Sequence, residues 1–221
     1  QRIAIVKRNL GDLDLALMNY DKALNILVSL YGEEYSGLSH ILYNSSLIYL
    51  DKKDFDTAII RLERALSLDL KYLGENNSIL AYSYSGLGSA YKGKGDIPQA
   101  IIKYEKGLEL LIKNKGKQNS EVANLYSTIG ELHLSNGNYE KALQNTKEAL
   151  SIHTNISDEL TIANEHHNIA KIYFEKGDYQ NALSSAKSSF FIYSSSASSV
   201  SSANLEVSNL IDSITEKLDA D

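Results

Sequence analysis

KGDIPQA, residues 94–100, carries the only proline of a 221-residue chain, and near-copies of the phrase recur along it. They are DLDLALM at 12–18, KDFDTAI at 53–59, GNYEKAL at 137–143 and GDYQNAL at 177–183. Each runs Asp or Asn, an apolar residue, two mostly polar residues, Ala, then an aliphatic. The alanines are Ala16, Ala58, Ala100, Ala142 and Ala182, spaced 42, 42, 42 and 40 residues apart. Seven residues on stand Ala23, Ala65, Gly107, Ala149 and Ser189, all small. Twelve residues before stand Ala4, Ser46, Gly88, Gly130 and Ala170, again all small. Nine before stand Lys7, Tyr49, Tyr91, His133 and Tyr173, mostly aromatic. A period in this range marks a solenoid, whose units bury their faces only against their neighbours.

Each unit reads as two helices. In SGLSHILYNSSLIYLDK, Leu38, Ile41, Leu42, Ser45, Ser46 and Tyr49 share a face at i, i+3, i+4 spacing. In DFDTAIIRLERALSLDLKYLG, Phe55, Ala58, Ile59, Leu62, Ala65, Leu66 and Leu73 do the same. Fixed small residues let the two backbones approach closely. Gly11, Gly95, Gly137 and Gly177 stand where a first helix should end in the left-handed conformation, with Lys53 as the exception. The next residue, Asp12, Asp54, Asp96, Asn138 or Asp178, is placed to cap the second helix. Pro98 then falls in that helix's first turn, where its missing N–H would have had no intrahelical partner. Gly32, Gly74 and Gly116 should stop the second helices, and Ser36, Ser78 and Ser120 should cap the first helices that follow. The fourth unit loses this glycine and two residues, in TNISDEL.

The pattern resembles the tetratricopeptide repeat over residues 1–193. The resemblance rests on the small–Tyr pairs (Ser46 and Tyr49, Gly88 and Tyr91, Ala170 and Tyr173) and on the Gly-Asp-aromatic-x-x-Ala turn. The family's usual Trp and unit-closing Pro are absent. The period is 42 rather than the family's common 34, which adds about 12 Å of helix per unit. Tyr-Leu-Gly-Glu-Asn at 72–76 and Tyr-Asn at 43–44 resemble the 42-residue arrays of kinesin light chains. The resemblance implies an all-α, right-handed α-solenoid of about five helix–turn–helix units, bounded near 1–35, 36–77, 78–119, 120–159 and 160–193. A Ser-rich loop over 194–202 and a C-terminal capping helix over 203–221 are expected to follow. In that helix Leu205, Leu210, Ile211, Ile214 and Leu218 recur at helical spacing, and Ala203 keeps the register 40 residues after Ala163.

Composition removes several function classes. A net charge of −6 argues against nucleic acid, which needs a clustered basic face. No apolar run approaches 18 residues, so no membrane partner is expected. The chain starts in mid-pattern without Met and reads as a fragment of a longer one. Zero cysteines exclude disulfides and thiol catalysis. The five histidines, His40, His133, His153, His166 and His167, form no HExxH, and a packed or partly exposed role is expected for each, with His166 facing the core. The glycines of SGLGSAYKGKGD lie within and at the end of a predicted helix, with no strand before them, so they make no phosphate loop. There is no G-x-S-x-G elbow. The expectation is therefore a non-enzyme with no cofactor and no metal.

In the family, first helices line the concave face and ligands lie along it as extended or helical peptides, so a partner peptide or helix in that groove is expected. The outward slots of the first helices are His40, Tyr82, Asn124 and Asn164, then Tyr43, Ser85, Ser127 and His167, then Asn44, Gly86, Thr128 and Asn168. Further along come Leu47, Ser89, Glu131 and Lys171. Asn donates to and accepts from a peptide backbone, and Tyr offers large contact area. The candidate protein-binding residues are Tyr43, Asn44, Tyr82, Ser85, Asn124, Ser127, Asn164, His167, Asn168 and Lys171. They suit an extended, mostly neutral peptide. The chaperone-binding clamp of the family needs Lys where Tyr43, Ser85, Ser127 and His167 stand, so a chaperone-tail receptor is not expected. The reading is a cytoplasmic scaffold or adaptor for a protein or peptide partner, with the array ends as a route to self-association. The alternative is the regulatory or sensor array of a larger enzyme or signalling protein.

Overall fold

The computed structural model describes residues 12–156, 159–195 and 201–220. Among the described residues there are ten helices and no strand: α1 Leu13–Tyr31, α2 Leu38–Asp51, α3 Phe55–Leu73, α4 Ile79–Lys94, α5 Ile97–Lys115, α6 Ser120–Ser135, α7 Tyr139–Asn155, α8 Glu159–Glu175, α9 Tyr179–Ser195 and α10 Ser201–Ala220. The chain forms an all-α repeat array and divides into two compact units, residues 1–114 and 115–221. In the first, α2 packs on both α1 and α3, and α3 on α4. In the second, α6, α7, α8, α9 and α10 each pack on the next.

The turns follow their chemistry. Gly95, Gly137 and Gly177 have φ of 80°, 72° and 81°. Lys53, in the same column, takes φ 60° although it carries a Cβ. A non-glycine there costs about 1 kcal/mol or more, so Lys53→Gly should raise stability by about 1 kcal/mol in urea titration. An unchanged midpoint would mean that the turn carries no strain. Gly11, the first of this column, lies outside the described residues. The next residue caps the second helix. Asp12, Asp54, Asp96 and Asp178 each accept from the backbone N–H three residues on, at 3.2 Å. Asn138 stands at its cap position without a side-chain bond. Pro98 is the second residue of α5.

The serine caps do not form. Gly37 and Ser78 precede α2 and α4 with no side-chain cap, and Ser120 is already inside α6. Asparagines one residue before those serines take over. Asn77 Oδ1 accepts from Ile79 N–H at 3.0 Å, and Asn119 Oδ1 from Glu121 N–H at 2.9 Å. The carboxamide spans a two-residue gap that a serine at the next position is too close to close.

The small columns are the core. Ala16, Ala58, Ala100, Ala142 and Ala182 are fully buried. A Cβ on Gly88 would stand 2.7 Å from the Tyr104 ring, so α4 and α5 meet at the closest approach glycine allows. Two leucines placed on core faces are exposed instead. Leu73 is the last residue of α3, where packing has run out. Leu205 lies two residues, about 200° of helix, from Val207, which with Ile214 fixes the buried face of α10. Leu210, Ile211 and Leu218 flank that face, against Ala182, Ala186 and Tyr193 of α9. Of the Ser-rich stretch, Ser194 and Ser195 belong to α9 and Ser201 and Ser202 to α10; 196–200 lies outside the described residues.

Candidate functional site

Six of the ten predicted residues come together in the second unit. Asn124, Ser127, Asn164, His167, Asn168 and Lys171 line one cavity of about 450 Å³ between α6 and α8, with Thr128, Glu131 and Thr161 beside them. Helix α7 reaches its wall through His153, and α10 through Glu206. Tyr43 and Tyr82 line a separate cavity of the first unit, also about 450 Å³. Asn44 and Ser85 line neither. The Asn44 amide donates to the His40 carbonyl at 2.7 Å and the Ser85 hydroxyl to the Ala81 carbonyl at 2.8 Å, each bonding back along its own helix.

The outward slots are not equally open. His40, Tyr82, Asn124 and Asn164 are exposed. Tyr43, Ser85 and Ser127 are half-buried, while His167, in the same column, is only 6% exposed. The physical reason is the element that follows: α10 packs beside α8, and the slot of the last unit is covered by it. Gly86 is also buried, because it backs onto Leu62 of the preceding helix. His166, expected to face the core, is half-buried. Asn164 is committed internally, since its Oδ1 accepts from the Tyr193 hydroxyl of α9.

The floor of the second-unit cavity is a buried polar network centred on two residues absent from the predicted set, Glu165 and His153. Glu165 and His153 are both 2% exposed. His153 Nδ1 lies 3.4 Å from Glu165 Oε1, and the Ser127 hydroxyl donates to Glu165 Oε2 at 3.1 Å. Burial pushes the Glu165 carboxyl up to about 7, against the pull of its hydrogen bonds with Ser127 and Asn168. Burial, aided by the Lys171 charge, pushes the His167 imidazole down to about 4, although Glu206 opposes it. At neutral pH the floor therefore holds a neutral imidazole at His167 and a carboxyl near its midpoint. The sequence carried a signal for this network. Glu165 shares its repeat column with Ile41, Ser83 and Leu125, and His153 shares one with Leu111 and Tyr193. Ionisable groups in buried columns of this kind need a partner or a purpose.

The chemistry of the arrangement is that of a polar binding surface. Among the described residues, no group of three or more His, Asp or Glu side chains could hold a metal ion. The cavity offers amides, hydroxyls, one lysine and carboxylates, the complement of a hydrogen-bonding ligand. Among the described residues no helix is long and apolar enough to cross a membrane.

Comparison with known proteins agrees with the repeat. No curated protein sequence matches this chain. Among solved structures, BtubC of P. vanneervenii superposes with a TM-score of 0.78 at 22% identity, over 86% of this chain and 77% of that one. A putative kinesin light chain from Podospora anserina, with nearly identical TPR-like repeats, gives 0.77 at 16% identity, over 89% and 95%. A signal-transduction ATPase of Pyrococcus horikoshii, described as having a tetratricopeptide repeat sensor, gives 0.72 at 20% identity, over 87% of this chain and 28% of that one. The family model of the tetratricopeptide repeat matches residues 1–71, 38–113 and 121–194. With those matches spanning most of the sequence and the helix pairs in register, the chain belongs to the tetratricopeptide repeat family.

Proposed function

We propose that this protein is a non-catalytic scaffold or adaptor that binds an extended, polar segment of a partner protein on the faces of its first helices. The observation that carries the reading is the convergence of Asn124, Ser127, Asn164, His167, Asn168 and Lys171 on one cavity. A carboxamide there can donate to and accept from a peptide backbone at once, and Lys171 adds one positive charge. In this reading the units follow the repeat boundaries given above, and α10 closes the array by packing on α9.

A peptide-display selection against residues 1–221 tests it, with an Asn124→Ala/Lys171→Ala variant as counter-screen. Both side chains are exposed, so the variant should keep its fold. Asn164 is left intact because it holds Tyr193. A shared peptide motif, lost or weakened at least tenfold in the variant, is expected. Peptides that bind both proteins equally would remove this cavity from the reading.

A second reading, the sensor array of a larger signalling protein, is favoured by the likeness to an ATPase described as having such a sensor. Under it the same surface binds, and the bound state is passed to a domain elsewhere in a longer chain.

A further inference from the structure

The first-unit cavity occupies the same place in the repeat as the polar one but is built from different chemistry. Asp69 stands in the column of His153, Tyr43 in that of Ser127 and Tyr82 in that of Asn164. Its walls are Tyr43, Tyr72, Tyr82, Leu73 and Ile79. At its floor lies Asp69, 7% exposed and hydrogen-bonded with Ser39. Other members of that column are Leu111 and Tyr193, so packing does not require a carboxyl there. Among the described residues, no lysine or arginine lines the cavity, and His40 is the one basic group on its wall.

We propose that this cavity takes the basic side chain, arginine or lysine, of a partner segment, with Asp69 as the counter-charge and the tyrosines around the stem. A carboxylate buried beneath aromatic rings is costly alone and stabilised by a cation that reaches it. Burial already raises the Asp69 carboxyl, with Ser39 and the nearby His40 offsetting only part of the effect. Tyrosine faces attract cations, and the apolar stem of Lys or Arg packs on Leu73 and Ile79 while its head seeks the carboxylate. The Tyr72 ring already accepts a cation in this chain: the Lys71 ammonium sits 5.4 Å from its centroid. Lys71 itself is held at 2.7 Å by Glu34.

The inference rests on the protein-binding reading but not on the second-unit cavity, so the two can fail separately. The test is amide NMR of the 221-residue protein titrated with acetyl-Gly-Arg-Gly-amide, with the Leu and Glu versions of the same tripeptide as controls. The arginine peptide should shift Ser39, Tyr43, Asp69 and Tyr82 with an affinity on the order of 1 mM. The leucine and glutamate peptides should bind at least tenfold more weakly. Asp69→Asn, which keeps a partner for Ser39, should weaken the arginine peptide at least tenfold with the melting temperature retained. Tyr82→Ala, at an exposed position, gives a second reading that does not depend on the floor, and should weaken it severalfold. Leucine binding as tightly as arginine would mean an apolar anchor and overturn the proposal. So would arginine binding that both variants leave unchanged, or no shift at these four residues. Display peptides that need Asn124 and Lys171, together with a negative result here, would sink only the basic-anchor inference.

Discussion

Glu165→Gln should make the protein lose stability on acidification between pH 6.5 and about 4.5, by about 1 kcal/mol per pH unit more than the unaltered chain. The sign comes from two opposed groups on one helix. Glu165 is raised from 4.5 to about 7 in the fold. Its contribution is fully present below pH 4.5 and is lost as pH rises toward 7. His167 is lowered from 6.5 to about 4. Its contribution is fully present above pH 6.5 and is lost as pH falls toward 4. His166, also lowered by burial, acts in the same direction as His167. Between 4.5 and 6.5 the glutamate and the histidines offset one another. Glutamine removes the first slope and leaves the second. His167→Asn should do the reverse, tilting the curve relative to the unaltered chain toward lower stability as pH rises through the same window, with His166 still opposing the glutamate. Above pH 7, Glu165→Gln should be the more stable protein by about 3 kcal/mol at most, because a buried carboxylate no longer has to form. Urea titrations of the three proteins from pH 4.5 to 8 decide the matter, and differences between variants cancel the surface carboxylates common to all. Parallel curves would show that neither group is titrating in a buried setting.

Gly130→Leu should cost about 3 kcal/mol, which in a chain of this size lowers the melting temperature by about 10 °C. The reason is the contact between α6 and α7. A Cβ at Gly130 would lie 2.4 Å from Thr146 Oγ1 and 3.3 Å from the Ala142 carbonyl. Rotating Thr146 only exchanges its hydroxyl for its methyl, and that side chain is fully buried. Thr146→Ala in the same background should recover about 1 kcal/mol or more, since it removes the obstructing atom and leaves only the backbone to give way. The double-mutant cycle, read by thermal unfolding, assigns the cost to this pair. Strictly additive effects would mean the helices separate as whole bodies and that the small column is not a packing constraint.

What the sequence determined by itself is everything whose energy is local. The left-handed turn at Gly95, Gly137 and Gly177, the aspartate caps and the place of Pro98 depend on backbone groups within four residues. A pattern of residue types is enough to read them. The small columns were legible for a related reason: the 42-residue repeat samples the same inter-helix contact several times, and only small residues satisfy it each time. The serine caps misled because Ser and Asn are both good caps, and a shift of one residue turns on loop geometry. Tertiary structure decided how open each slot of the binding face is. His167 reads as outward in its own helix, yet α10, some forty residues further along the chain, covers it. Asp69, His153 and Glu165 stood in buried columns where a change of charge was visible. Their role came into view only once neighbouring helices were seen to close two cavities around them, one polar and one aromatic. Burial is a sum over contacts distant in sequence, and desolvation, which sets the chemistry of those floors, follows from burial rather than from residue type.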